Sequence, residues 1–366
     1  MKKSLDDELI ILFEQAESNH MCLVPPTQRL RDALNRRMNS YMTNLPIVRP
    51  YSGIYARRDK WDALDPTQQT IHAARALYTK HPTWVFADVT AATIRGWNVS
   101  YALLEEIHLG STYHRRANAV VSRTSKQVEH ELVDGLPVTS AEQTLFDCLR
   151  TRDLRLSLPV VDSALRQLNL SAKEAVTWLE QYEPIKGRAY FKRVLDTVKL
   201  ADPRSESGGE SVARATMIAL GFAMPELQVE YRDPIEPGRI MRADFKWELP
   251  DGTVILGELD GRQKYVDPAM TKGKSSVDVL RQERIRESRL SLTGARIVRF
   301  SFDDVCDEYY FAHLLESYGV PHASYSRHIR LLCDLNSLRG AGTYDELPPL
   351  ECYADLTVAY DGYRWW

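Results

Sequence analysis

Residues 240–260 constrain this chain more tightly than any other stretch, because two alternating runs meet at a turn of defined chemistry. The first run, IMRADFKWEL, places Met241, Ala243, Phe245 and Trp247 on one face and Arg242, Asp244 and Lys246 on the other. That period of two belongs to a strand with one core face and one face left for chemistry. The second run, residues 253–260, puts Val254, Leu256, Glu258 and Asp260 on a shared face, so its acids emerge where the apolar residues stop. Between the runs lies Pro250-Asp251-Gly252; proline presets φ at the first corner and glycine accepts the left-handed one. The loop pairs position 249 with 253, and counting back on that register sets Asp244 opposite Glu258. Cross-strand neighbours have Cβ atoms about 4.5–5.5 Å apart, a separation at which two carboxylates repel.

A divalent cation between the acids removes the conflict. Mg²⁺, or Mn²⁺ in its place, suits such a pair: a hard ion takes one or two protein carboxylates and completes its shell with water and phosphate oxygens. It also activates water and neutralises charge on a phosphate. Glu210 opens a helical stretch at 210–220. It is either a further acid for the ion, or an i,i+4 partner of Arg214, or simply an acid placed at the helix N-terminus against the dipole. Phosphoryl chemistry also needs a positive donor. Lys264 is nearest; Arg281 and Arg284 in a helical stretch at 277–292, and Arg299 in a strand at 295–301, are candidates for that role or for phosphate contacts. The competing reading of the acid pair is a surface hairpin whose Asp244 and Glu258 pair with Arg242 and Arg262.

The chain has 366 residues, enough for two or three domains. The stretch ADPRSESGG at 201–209 is the best linker and the expected main boundary. Ahead of it, helical spacing at 6–17 and 27–42 is followed by an extended stretch at 47–56. Two helices and a strand pair are how a winged helix-turn-helix reads. Its second helix carries Arg29, Arg31, Arg36 and Arg37, with Arg36 and Arg37 as candidate DNA contacts; a solvated arginine face on a helical hairpin is the alternative. Residues 61–200 read as helical at 67–80 and 87–96, as β-branched alternation at 105–133, and as further helices to 199. His108, His114 and His130 make no i,i+4 pair there and are not expected to bind metal.

The formal net charge of −3 confines any nucleic-acid-binding surface to a local patch. Five cysteines, Cys22, Cys148, Cys306, Cys333 and Cys352, are scattered, which disfavours a disulfide framework or zinc cluster and fits a reducing cytoplasm. No stretch reaches the roughly 20 apolar residues of a spanning helix, so no membrane partner is expected.

In order and spacing, SGGES around Glu210, RADFKW around Asp244, GELDGRQKY around Glu258, RQERIRESRL and GARIVRFSF resemble the restriction-endonuclease-like, or PD-(D/E)XK, superfamily. The likeness is to the variant related to very-short-patch-repair endonucleases. SGIY at 52–55, DGLPVTSAEQTLFD at 134–147 and SESGGES resemble actinobacterial proteins with an AbiEi-type antitoxin N-terminal region. The resemblance spans roughly residues 45–318. It implies an AbiEi-like region at 61–200 and an αβββαβ nuclease-like domain at 205–318; with the winged-helix-like region that spacing predicts at 1–60 and an extension at 319–366 outside the likeness, the expected chain is mixed α+β. It further implies that Asp244, Glu258 and Glu210 are the metal-binding acids of a Mg²⁺-dependent DNA endonuclease. Asp260 stands where the superfamily usually has lysine, so the lysine role has moved, on this reading to Lys264, or is missing. The alternative is a non-catalytic DNA-binding regulator or antitoxin, with a toxin or phage-defence component as partner.

Overall fold

The computed structural model describes residues 4–38, 45–111, 115–117, 119–124, 129–260, 284–286 and 288–333. Helices and mixed sheets make up the chain, and two compact units divide it: Met1–Cys148 with Tyr182–Lys186, and Leu149–Gln181 with Gly187–Trp366. Among the described residues no helix is long and apolar enough to cross a membrane.

In the first unit, α1 (Leu5–Ser18) opens with a reciprocal capping box between Ser4 and Asp7. It is followed by α2 (Gln28–Met38) and the paired strands β1 (Ile47–Val48) and β2 (Ala56–Arg57). Leu9, Phe13, Leu30, Leu34, Ile47 and Tyr55 form their small core. Then come α3 (Arg58–Asp62), α4 (Pro66–Lys80), β3 (Val85–Phe86) and α5 (Asp88–Ile94). The strands β4 (Ile107–Ser111), β5 (Arg115–Ala117), β6 (Val120–Thr124), β7 (His130–Val133) and β8 (Leu136–Thr139) complete a six-stranded mixed sheet with β3, and α6 (Ala141–Leu149) follows.

The second unit holds α7 (Leu154–Leu168), α8 (Ala172–Gln181), α9 (Phe191–Lys199) and α10 (Gly208–Ala219). The strands β9 (Glu226–Arg232), β10 (Ile240–Glu248), β11 (Val254–Asp260) and β12 (Arg296–Ser301) form its sheet, and α11 (Phe302–Cys306), α12 (Glu308–Tyr318) and α13 (Arg327–Leu332) close it. The sheet order is β12-β11-β10-β9; the first three strands are an antiparallel meander, and β12 runs parallel to β11. The hairpin register is the one the turn dictates, with Glu248 opposite Val254 and the Leu249 N–H donating to the Thr253 carbonyl at 2.8 Å. Of the helical stretch expected at 277–292, residues 284–286 and 288–291 are helical, Leu292 is in a turn, and residues 277–283 and 287 lie outside the described residues.

Two expectations need correction. The chain divides at Cys148/Leu149 and not near 205, so α7, α8 and α9 belong with the sheet of the second unit. The polar stretch at 201–209 is a pinned corner. Asp162 of α7 accepts from the Asp202 N–H at 2.8 Å, from Ser211 Oγ at 2.7 Å and from Arg214 Nη1 at 2.8 Å, and Ser205 is fully buried. A buried carboxylate needs such partners, and the stretch that looks like a linker supplies one of them, the Asp202 N–H.

The second correction concerns β10, whose odd-numbered apolar residues do not share one core. Phe245 and Trp247 pack with Ile255, Val298 and Phe300, whereas Met241 and Ala243 pack with Leu256 and Leu290. Strand β9 divides likewise, Leu227 joining the first cluster and Tyr231 packing on the second. The division falls at Gln228, whose φ of 54° is left-handed. That region is uncommon for a residue other than glycine, and there it interrupts the alternation of a pleated strand.

Candidate metal and phosphate site

The same irregular position lies in the row that carries the acids. Leu227 pairs with Phe245 and Val229 with Ala243, which leaves Gln228 opposite Asp244 in register; Phe245 pairs with Gly257, and continuing that register puts Glu258 opposite Asp244; and Glu258 pairs with Arg299. One row across four strands therefore reads Gln228, Asp244, Glu258, Arg299. Gly257 leaves room beside it, because a Cβ there would lie 3.1 Å from atoms of both Phe245 and Trp247, closer than an ordinary van der Waals contact. Gly209 does the same for α10, where a Cβ would meet Leu259 at 2.9 Å; its absence lets the first turn, with Glu210, approach the end of β11.

Asp244 is partly exposed, and its Oδ2 accepts the Leu259 N–H at 2.9 Å. Glu258 is only 4% exposed. Its Oε2 accepts from Arg286 Nη2, while Oε1 is buried with no hydrogen-bond partner. Burial, reinforced by the nearby Asp244, pushes the Glu258 carboxyl up to about 7 against the opposing pull of Arg286 and Arg299. Glu210 is buried and its carboxyl is likewise raised, by burial first and by Asp244 as well. It accepts from the Glu206 N–H, Ser207 Oγ and Gln228 Nε2, each at 2.9 Å.

These contacts decide between the readings of Glu210. Arg214 is not its i,i+4 partner, because that guanidinium is bound to Asp162 and to the Leu200 carbonyl at 2.7 Å. The expected ligand trio of Asp244, Glu258 and Glu210 does not form either. Among the described residues no three His, Cys, Asp or Glu side chains make a metal-holding group; Glu210 is committed to its internal donors. The pairing of the acids with Arg242 and Arg262 gains no support: Arg242 bonds Glu206 at 2.6 Å, and Arg262 lies outside the described residues.

Of the candidate cations, Lys264 and Arg281 lie outside the described residues, and Arg284 is exposed. Arg299 is ion-paired with Asp260, its Nε 3.3 Å from Oδ2. Among the described residues, the cation that reaches Glu258 is Arg286, which donates to it and, at 2.8 Å, to the Arg242 carbonyl. Sequence reasoning missed it. Its signal was spacing: Leu290 is the buried residue that seats this helix on the sheet, and Arg286 is one helical turn before it, on the same face. Gln228 was missed too, because a glutamine in LQVEY reads as an ordinary solvent-facing strand position.

In the first unit, Arg29 and Arg37 of α2 are ion-paired with Glu8 and Asp6 of α1, and Arg36 is exposed. His108 lies 3.2 Å from Asp88, both buried; His130 is exposed, and His114 is outside the described residues.

No family model and no solved structure matches the chain. It is similar to two proteins described as "Uncharacterized protein MT2308" and "Uncharacterized protein Rv2248", from Mycobacterium tuberculosis strains CDC 1551 / Oshkosh and H37Rv. Each is 25% identical over 275 residues, covering 74% of this chain and 91% of the relative.

Proposed function

We propose that this protein is a Mg²⁺-dependent DNA endonuclease of the PD-(D/E)XK type, with Mn²⁺ able to replace Mg²⁺, and that α10, the β9–β12 sheet and the helical residues 284–286 and 288–291 are its αβββαβ core. The observation that carries the reading is the pair Asp244 and Glu258, adjacent in register, with a buried Glu258 oxygen that has no partner. An orphaned buried acceptor asks for a missing ion or water, and two carboxylates of a hairpin fit a hard cation.

Asp244 and Glu258 would hold the ion, which when bound supplies Lewis-acid polarisation of a phosphate oxygen and an acidified water. The protein's own residues do the rest. The Leu259 N–H fixes the Asp244 carboxylate, and Arg286 brings a guanidinium beside Glu258, in the role usually filled by the lysine that Asp260 replaces. The helices α1 and α2 with the β1–β2 pair act as a winged-helix-like element that delivers the chain to DNA, through the exposed Arg36 and neighbouring backbone.

A second reading rests on a different observation. Arg286 and Arg299 already neutralise Glu258 and Asp260, an arrangement suited to a DNA-binding regulator or antitoxin with a toxin or defence partner that no longer cuts. Incubation of the full chain with duplex, mismatched, branched and single-stranded DNA in Mg²⁺ or Mn²⁺ separates the two. Cleavage by the parent and none by Asp244→Asn supports the enzyme; intact DNA on every substrate leaves the regulator.

A further inference from the structure

The row that pairs Asp244 with Glu258 contains one more oxygen without a partner. Gln228 donates its Nε2 to Glu210 Oε2 at 2.9 Å, and that same oxygen accepts the Glu206 N–H. An ionised carboxylate only accepts, so the amide nitrogen must face Glu210 and the amide oxygen must face away from it. This Oε1 is buried and has no hydrogen-bond partner, as is Oε1 of Glu258 two strands away in the same row. The left-handed backbone of Gln228 is the local irregularity that sets the side chain there, and such a conformation persists at sites where it is used.

We propose that the amide oxygen of Gln228 is a third, neutral ligand of the divalent cation held by Asp244 and Glu258, and that Glu210 is a positioning residue that orients this amide and does not itself ligate the metal. The inference rests on the metal-dependent reading above. Hard cations accept carbonyl and side-chain amide oxygens alongside carboxylates. A neutral third oxygen also adds a ligand without adding a further like charge beside Asp244 and Glu258. The three hydrogen bonds that Glu210 accepts then have a purpose: outer partners of a ligand fix its orientation, and their loss weakens metal binding.

Two measurements on the full chain test this. Calorimetric titration with Mn²⁺ compares the parent, Gln228→Asn and Asp244→Asn; asparagine tolerates the left-handed backbone but cannot extend its oxygen as far. Gln228→Asn is expected to weaken Mn²⁺ by about ten-fold or more, and Asp244→Asn to abolish binding. In the unaltered protein, labelled with ¹³C in glutamine, the Gln228 side-chain carbonyl resonance is expected to shift on addition of Mg²⁺, a readout that requires no variant to fold. If Gln228→Asn binds Mn²⁺ as the parent does, or the carbonyl resonance stays in place while Mg²⁺ binds, the assignment of Gln228 fails and the carboxylate site stands. If the parent binds neither ion, both the ligand assignment and the metal-dependent reading fall.

Discussion

Arg286 donates to one oxygen of Glu258 and leaves the other without a partner. A carboxylate 4% exposed is thereby half satisfied, by a guanidinium that also grips the Arg242 carbonyl across the neighbouring strand. The two halves of this carboxylate make different demands, and each can be tested.

Removing Arg286 separates them. Breaking a buried ion pair by deleting one partner costs about 3–5 kcal/mol, because the remaining charge is stranded. Arg286→Ala should therefore lower the melting temperature, and added Mn²⁺ should restore more stability to this variant than to the parent. In a cleavage assay the loss of a donor acting on developing charge should cost on the order of 10²–10³ in rate. A variant as stable and as active as the parent would remove Arg286 from the site.

Lys264→Ala is the informative companion, since Lys264 lies outside the described residues and was the nearest cation in sequence. With Arg286 filling the donor role, Lys264→Ala should retain most of the parental cleavage rate, measured as initial rate on one substrate. If its loss matches that of Arg286→Ala, the donor role is shared.

On the proposed metal-dependent reading, the protonation of Glu258 gives cation binding a pH dependence. Its carboxyl is raised from the ordinary glutamate value to about 7, so a proton competes with the cation below that pH. Affinity for Mn²⁺ should climb as pH rises through about 7 and level off above it. The metal-free fold follows the opposite sign. A carboxyl with a raised folded pKa contributes stability that is fully present below its unfolded value and is lost as pH rises through about 7. Calorimetry and thermal melts between pH 5 and 8.5 check both, and Glu258→Gln should flatten each profile.

The corner at 201–209 should prove structural. Asp162 and Arg214 are 1% and 4% exposed at their side chains, and Asp162→Ala strands the arginine. Urea unfolding should show a loss of about 3–5 kcal/mol; a loss under 1 kcal/mol would mean that the corner holds without the pair.

DNA retention by the full chain in EDTA tests the first unit. Affinity should fall steeply with salt, and Arg36→Ala should reduce the slope of log K against log salt by about one. Salt-insensitive retention would make the α1–β2 region a protein-interaction module.

The sequence by itself determined the local structure around the site. Alternation in 240–249, the Pro250-Asp251-Gly252 turn and the spacing back to Asp244 fix a hairpin and its register, because strand period and turn chemistry act over a few residues. Helix α10 and the strands of the second unit followed from the same short-range signals. What the tertiary structure decided was which side chains satisfy one another. Arg214 went to Asp162 and not to Glu210, Arg299 to Asp260, and Arg286 to Glu258, since burial makes an ion pair depend on what lies across the interface, which sequence spacing does not encode. The same reason placed the unit boundary at 148 and not at the polar stretch near 205, and turned Gln228 from an ordinary strand residue into the irregular member of the row that carries the acids.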